Sequence, residues 1–208
     1  MEVRAINTVV ERDIQEIISD SQIFDAFRGK LILVTGATGL IGSMVARSLI
    51  AANDAYHLSL RVICHVRNIE KAHHMFSDIV DSDILTFVDT PLESLDIACD
   101  YIMHGAAPTK SKYFVEHPVD TIRTSIHGTE RMLELGKEQK IKGMVYLSSM
   151  GQYGVPYESG QVMTEDRIGY LDHLNVRSSY SESKRLCECY CKSYAVEFGV
   201  PVKIARLA

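Results

Sequence analysis

At 208 residues, 46% hydrophobic and 24% charged, the chain is sized for one substantial globular domain and is small for two. Its formal charge of −5, spread without a basic run, gives no electrostatic ground for a nucleic-acid or anionic-membrane partner. No stretch reaches the roughly 18 apolar residues of a membrane-spanning helix. Residues 1–20 lack the continuous apolar segment of a signal peptide, and the five cysteines are an odd number with no CxxC spacing. The expected setting is a reduced, cytoplasmic one.

In chain order, Val9, Val10, Ile14, Ile17 and Ile18 are spaced for one face of a helix over 8–20. It belongs to an expected N-terminal helical extension, residues 1–29. The run Leu31-Ile32-Leu33-Val34 then suits a parallel strand buried on both faces. The pattern predicts a helix over 40–52, a strand over 60–66, a helix over 69–79 and strands at 84–88 and 100–104. There follow a long helix within 118–139, a strand at 143–148, a helix over 179–198 and a last strand at 201–207. Strands separated by helices require right-handed crossovers and a parallel sheet covered on both faces. The expected fold is therefore α/β, a Rossmann-like doubly wound sheet spanning 30–208. One long irregular stretch, 150–177, is rich in Gly and Tyr, as functional loops often are.

Directly after the first strand comes Thr35-Gly36-Ala37-Thr38-Gly39-Leu40-Ile41-Gly42. Glycines at i, i+3 and i+6 permit a sharp turn and close approach of backbone N–H groups to a pyrophosphate, and the helix start adds free donors facing the anion. Gly36, Thr38, Gly39, Leu40, Ile41 and Gly42 are thus the expected dinucleotide cradle. The second strand ends in His65-Val66-Arg67-Asn68, without the acid that would bind a ribose 2′-hydroxyl. Arg67 is able to grip a 2′-phosphate or to stack on adenine, so NAD and NADP both stay open, with a slight tilt to NADP.

Tyr180-Ser181-Glu182-Ser183-Lys184 is YxxxK at the start of a helix, which puts the phenol and the ammonium on one face. A cation beside a phenol favours the phenolate and makes it a usable base near neutral pH. Upstream, the strand ending in Ser148-Ser149 places a hydroxyl at the C-terminal edge, where open α/β sheets bind ligands. Cys187, Cys189 and Cys191 alternate by about 200° around the same helix and do not converge on a metal, so no metal site is expected.

These segments together resemble the extended short-chain dehydrogenase/reductases, the NAD-dependent epimerase/dehydratase family. TGATGLIG is similar to that family's GxxGxxG, and Ser148-Ser149-Met150-Gly151-Gln152-Tyr153-Gly154 to its SSxxxYG. Asp100 to Ala107 resembles DxVxHxAA, in which Gly105, Ala106 and Ala107 let backbone pass close to the cofactor. Pro118 with Gly128-Thr129 resembles Pro…NxxGT, but Ser125 stands where the family has asparagine and has less reach for its bracing and water-relay role. Arg177-Ser178-Ser179-Tyr180, with Lys184-Arg185 and Glu188, is similar to the RSxYxxxKRxxE of nucleotide-sugar enzymes related to UDP-glucuronate decarboxylase.

The resemblance implies a nucleotide-sugar enzyme with Ser149, Tyr180 and Lys184 as its catalytic set. Tyr180 takes a proton from a sugar hydroxyl whose carbon yields hydride to the nicotinamide, Ser149 holds that oxygen, and Lys184 binds the nicotinamide ribose. Decarboxylases of the family carry Glu just after the serine or threonine, and 4,6-dehydratases carry Asp-Glu. Here Met150-Gly151 offers no acid, so NAD(P)-dependent epimerisation is the expected reaction. A reductase using NADP, a dehydratase or a decarboxylase are the alternatives within the superfamily, and a non-catalytic dinucleotide-binding regulator is the alternative outside it. The resemblance further implies a homodimer formed through the helices near 118–139 and 179–198. Family members continue past the final strand into the substrate-binding region, which is expected to be missing from this chain; a fragment that binds dinucleotide without turnover is the expectation.

Overall fold

A computed structural model describes residues 7–79, 83–158, 160 and 162–208. Residues 1–6 of the expected N-terminal extension, and 159 and 161 of the expected long loop, lie outside the described residues. The chain divides into two compact units, Met1–Gly105 and Ala106–Ala208.

In the first unit, α1 (Thr8–Ile17) starts where the Asn7 side chain accepts the Val9 N–H at 2.8 Å, which satisfies a donor the helix leaves unpaired. Its apolar stripe buries Ile14 and Ile18 as it packs on α2 (Leu40–Tyr56), and the Tyr56 hydroxyl donates to the Ile18 carbonyl. Strands β1 (Leu31–Thr35) and β2 (Arg61–His65) are almost wholly buried, as their unbroken apolar runs require. With β3 (Leu85–Val88) and β4 (Tyr101–His104) they form parallel pairs in the order β3-β2-β1-β4. The Asp100 carboxylate accepts the Leu31 N–H at 3.0 Å and ties the start of β4 to β1. After β3 the chain passes to the other side of β1. In open α/β sheets such a reversal is where ligands bind, beyond the carboxyl ends of the two flanking strands, here β1 and β4.

In the second unit, α5 (Pro118–Gln139) opens on a proline whose missing N–H costs nothing at a helix start. It lies along α6 (Ser178–Glu197), and β5 (Gly143–Ser149) pairs in parallel with β6 (Val202–Leu207), Ser148 opposite Arg206. Among the described residues these six strands are all parallel within their units, and α2 connects β1 to β2 and α6 connects β5 to β6, a Rossmann-like α/β fold. No helix of the described residues is long and apolar enough to cross a membrane.

Three local features depart from the sequence pattern. The helix expected over 69–79 is α3, Ile69–Met75; past its end, Asp78 takes a two-point ion pair from Arg47 (2.6 and 2.8 Å), which also donates to the Met75 carbonyl at 2.5 Å. A six-residue helix, α4 (Ser111–Glu116), precedes α5. The long loop carries a 3-10 turn at Met150–Tyr153 and a two-stranded bridge between Val155 and Tyr170.

Candidate active site

The glycine turn leaves β1 with Gly36 at φ +72°, a backbone angle that disfavours any side chain. A Cβ at Gly42 would meet the Gly36 carbonyl oxygen at 2.3 Å, so the first turn of α2 lies directly on the loop. Leu40 and Ile41 are exposed rather than packed over the turn. The four leading N–H groups of a helix have no partner within it, and here they begin at an uncapped Gly39. These features fit a pyrophosphate. Gly105 follows β4 and donates its N–H to both the carbonyl and the hydroxyl of Thr35, each at 3.2 Å. The same Thr35 hydroxyl pairs with the buried His104 ring at 2.7 Å. His104 and Asp100 of the DxVxHxAA segment thus brace β1 and β4. Arg67 stands exposed two residues past His65, the register partner of Thr35. Ala106 and Ala107 open the second unit, half-buried.

Ser149, Tyr180 and Lys184 come together in the second unit. Ser149, the last residue of β5, accepts the Gly151 N–H on its Oγ at 3.2 Å. That leaves its own hydrogen available to donate. A Cβ placed at Gly151 would lie 3.5 Å from Ser149 Oγ, 3.9 Å from Tyr180 Cε1 and 3.2 Å from Ser181 Oγ. Ser149 and Tyr180 therefore border one small space, and the side chain at 151 is what would occupy it. The face of Tyr180 stacks on Phe114 of α4, centroids 4.5 Å apart and planes within 4°.

Lys184, one helical turn beyond Tyr180, is buried and donates to the Leu147 carbonyl at 2.7 Å. Its nitrogen lies 4.7 Å from the Tyr146 ring centre and 5.7 Å from that of Tyr180. Burial lowers its pKa to about 8, against the opposing pull of Cys187, Cys191 and Glu188. Of the other cysteines on α6, Cys187 and Cys191 are buried and Cys189 is exposed, the alternation that helical spacing dictates. Ser125 does not reach toward this cluster. Its hydroxyl donates to the Thr121 carbonyl one turn back at 2.8 Å, and its own carbonyl accepts from the Cys187 thiol and the Thr129 hydroxyl.

Arg185 closes the loop that follows Ser149. Its guanidinium donates to the carbonyls of Gln152 (2.7 Å), Tyr153 (3.2 Å) and Gly169 (2.8 Å), binding both limbs of the Val155–Tyr170 bridge to α6. Neither this role nor the Phe114 stack was visible in the sequence. Arg185 carried a signal as part of RSxYxxxKRxxE; Phe114 carried none.

The model of the NAD dependent epimerase/dehydratase family matches residues 32–208. The chain belongs to that family. The family is NAD-dependent, which weighs against the slight tilt to NADP that Arg67 gave. UDP-glucuronic acid decarboxylase 1 of Danio rerio is 30% identical over 86% of this chain and 41% of its own length. UDP-glucuronic acid decarboxylase 6 of Arabidopsis thaliana is 31% identical over 85% and 49%. The chain thus spans about half the length, or less, of these curated relatives. Among solved structures, the UDP-glucuronic acid 4-epimerase of Bacillus cereus in complex with NAD superposes with a TM-score of 0.67 at 25% identity, over 86% of this chain and 56% of its own. An epimerase of Methanothermobacter thermautotrophicus gives 0.73 at 24% identity over 92% and 55%, a likeness of fold.

Proposed function

We propose that the protein of which this chain is the dinucleotide-binding part epimerises a nucleotide-activated sugar, with NAD at the glycine turn. The observation that carries the reading is Gly151: the position bordering Ser149 and Tyr180 bears no side chain, and so no acid of its own to deliver a proton to a leaving group. Epimerisation requires none.

Tyr180 acts as the base and takes the proton of one sugar hydroxyl. Ser149, its oxygen already engaged by the Gly151 N–H, donates its hydrogen to that sugar oxygen and steadies the charge as the carbonyl forms. The Lys184 ammonium has three donors, of which the Leu147 carbonyl takes one; the others serve the ribose hydroxyls of the dinucleotide. When bound, NAD would supply the hydride acceptor and donor; with the keto sugar turned to present its other face before the hydride returns, the sugar would leave inverted and without net oxidation. Tyr180 then gives its proton back. Phe114 fixes the plane of the phenol throughout.

The names of the relatives favour UDP-glucuronic acid as the first substrate to try, and they also support a second reading, its decarboxylation. The test is proton NMR of the full-length protein incubated with UDP-glucuronic acid and a panel of UDP-hexoses, with released CO2 and NADH measured in parallel. The expected product is an epimer at a single carbon, with no CO2 and no accumulating NADH. Release of CO2 with formation of a UDP-pentose would replace this reading with the second, and one-for-one consumption of a reduced dinucleotide would replace both.

A further inference from the structure

Tyr180, Lys184 and Glu188 follow one another at intervals of four on α6 and so share a face. That face meets the end of β5 rung by rung. Lys184 holds the Leu147 carbonyl, and the Ser148 hydroxyl donates to Glu188 at 2.5 Å. Across the sheet, the register partner of Ser148 is Arg206, and Arg206 grips the same carboxylate at two points, 2.8 Å from one nitrogen and 3.1 Å from another. The guanidinium then reaches outward. It donates to the Tyr153 hydroxyl at 3.3 Å and the Glu165 carbonyl at 2.9 Å, and lies 5.0 Å from the centre of the Tyr153 ring.

A carboxylate this buried costs free energy unless its oxygens are fully engaged, and here a hydroxyl and a guanidinium engage both. The pair is a tie between strand and loop. What it joins is the residue before Ser149 to two points of the loop beyond it, Tyr153 and Glu165.

We propose that Glu188 and Arg206 are positioning residues: through Ser148 on one side and Tyr153 and Glu165 on the other, they fix the Ser149 hydroxyl and those two points of the following loop relative to Tyr180. Neither touches the reacting atoms. The inference rests on the epimerase reading for its kinetic consequence but not for its structural one. Displacements of about 1 Å at a reacting group are able to cost up to about a hundredfold in rate, which sets the scale.

The test uses the full-length protein carrying Glu188→Gln or Arg206→Lys, each with and without Ser148→Ala. The expected result is a fall in kcat of about ten- to a hundredfold, with KM for the sugar nucleotide and affinity for NAD changed only a few-fold. The backbone amides of Val155, Gly169 and Tyr170, which carry the loop's bridge, should exchange with solvent about tenfold faster while those of α5 do not. Ser148→Ala should add little to Glu188→Gln, because both cut the same link. If Glu188→Gln does not fold, Arg206→Lys, which keeps the charge and loses the two-point grip, carries the test. Unchanged exchange at the three amides overturns the proposal, as does a lowered melting temperature with kcat intact. A loosened loop in a protein whose wild type turns over no nucleotide sugar overturns the epimerase reading alone.

Discussion

Phe114 stacks face to face on Tyr180, with ring centres 4.5 Å apart and planes within 4° of parallel. The short helix Ser111–Glu116 that presents Phe114 is anchored to α6 at a second point, where the Ser179 hydroxyl donates to the Phe114 carbonyl at 3.4 Å. The phenol's plane is thereby set by a neighbour outside the YxxxK pattern. Aromatic pairs contribute about 0.5–1.5 kcal/mol beyond the area they bury, so Phe114→Ala should lower kcat roughly two- to tenfold by freeing the ring. Phe114→Tyr should retain most of it. Steady-state kinetics on the two variants, with NAD affinity as the control, decides whether the stack matters to turnover.

Lys184 gives a pH-dependent signature. Burial holds its pKa at about 8, below the ordinary value of 10.5. Between those values the unfolded chain keeps a proton that the folded one has lost, so this group makes stability rise with pH across the window. Lys184→Met removes the titration. Relative to that variant, the wild type should gain about 2 kcal/mol of unfolding free energy between pH 7 and pH 9.5, one pKa unit being worth about 1.4 kcal/mol. Urea titrations of both proteins at the two pH values measure it. A difference that does not change with pH would mean that Lys184 titrates outside the window.

Tyr180→Phe separates chemistry from scaffolding. The ring, its stack on Phe114 and the contacts of α6 all remain, while the hydroxyl is lost. General acid–base groups contribute about a hundred- to ten-thousandfold, so turnover should fall by at least that lower figure. NAD affinity should stay within a few-fold, read by fluorescence or calorimetry. Retained turnover would remove Tyr180 from the mechanism.

Much of this was legible because the signals are local. Leu31-Ile32-Leu33-Val34 has no polar break and suits a strand buried on both faces; a glycine at each third position after it requires backbone where side chains would otherwise stand. Tyr180 and Lys184 share a helix, so their spacing alone put them on one face. What stayed hidden is tertiary. Six residues, Ser111–Glu116, are too few to display a helical period, and nothing near Phe114 in the chain announces that it meets Tyr180. Arg185 binds three carbonyl oxygens, and every residue has one, so the sequence cannot say which. Ser125 shows the opposite limit. Its departure from the family pattern was plain, but only the structure shows that the hydroxyl turns back on its own helix.

The glycines of the turn allow a graded test of the cradle. A Cβ at Gly42 would stand 2.3 Å from the Gly36 carbonyl oxygen and 2.8 Å from its carbon, both backbone atoms that no rotamer can move aside. A Cβ at Gly39 would stand 3.2 Å from the same oxygen, a contact that a shift of a few tenths of an ångström relieves. Gly42→Ala must therefore push α2 away from the loop, at an overpacking cost of about 1–3 kcal/mol, and draw the helix N–H groups off the pyrophosphate. Gly39→Ala should cost less in both respects. The expected order, Gly42→Ala worse than Gly39→Ala worse than wild type, should appear together in melting temperature and in NAD affinity, because one displacement causes both. If Gly42→Ala lowered the melting temperature but left NAD affinity untouched, the start of α2 would not be where the dinucleotide binds.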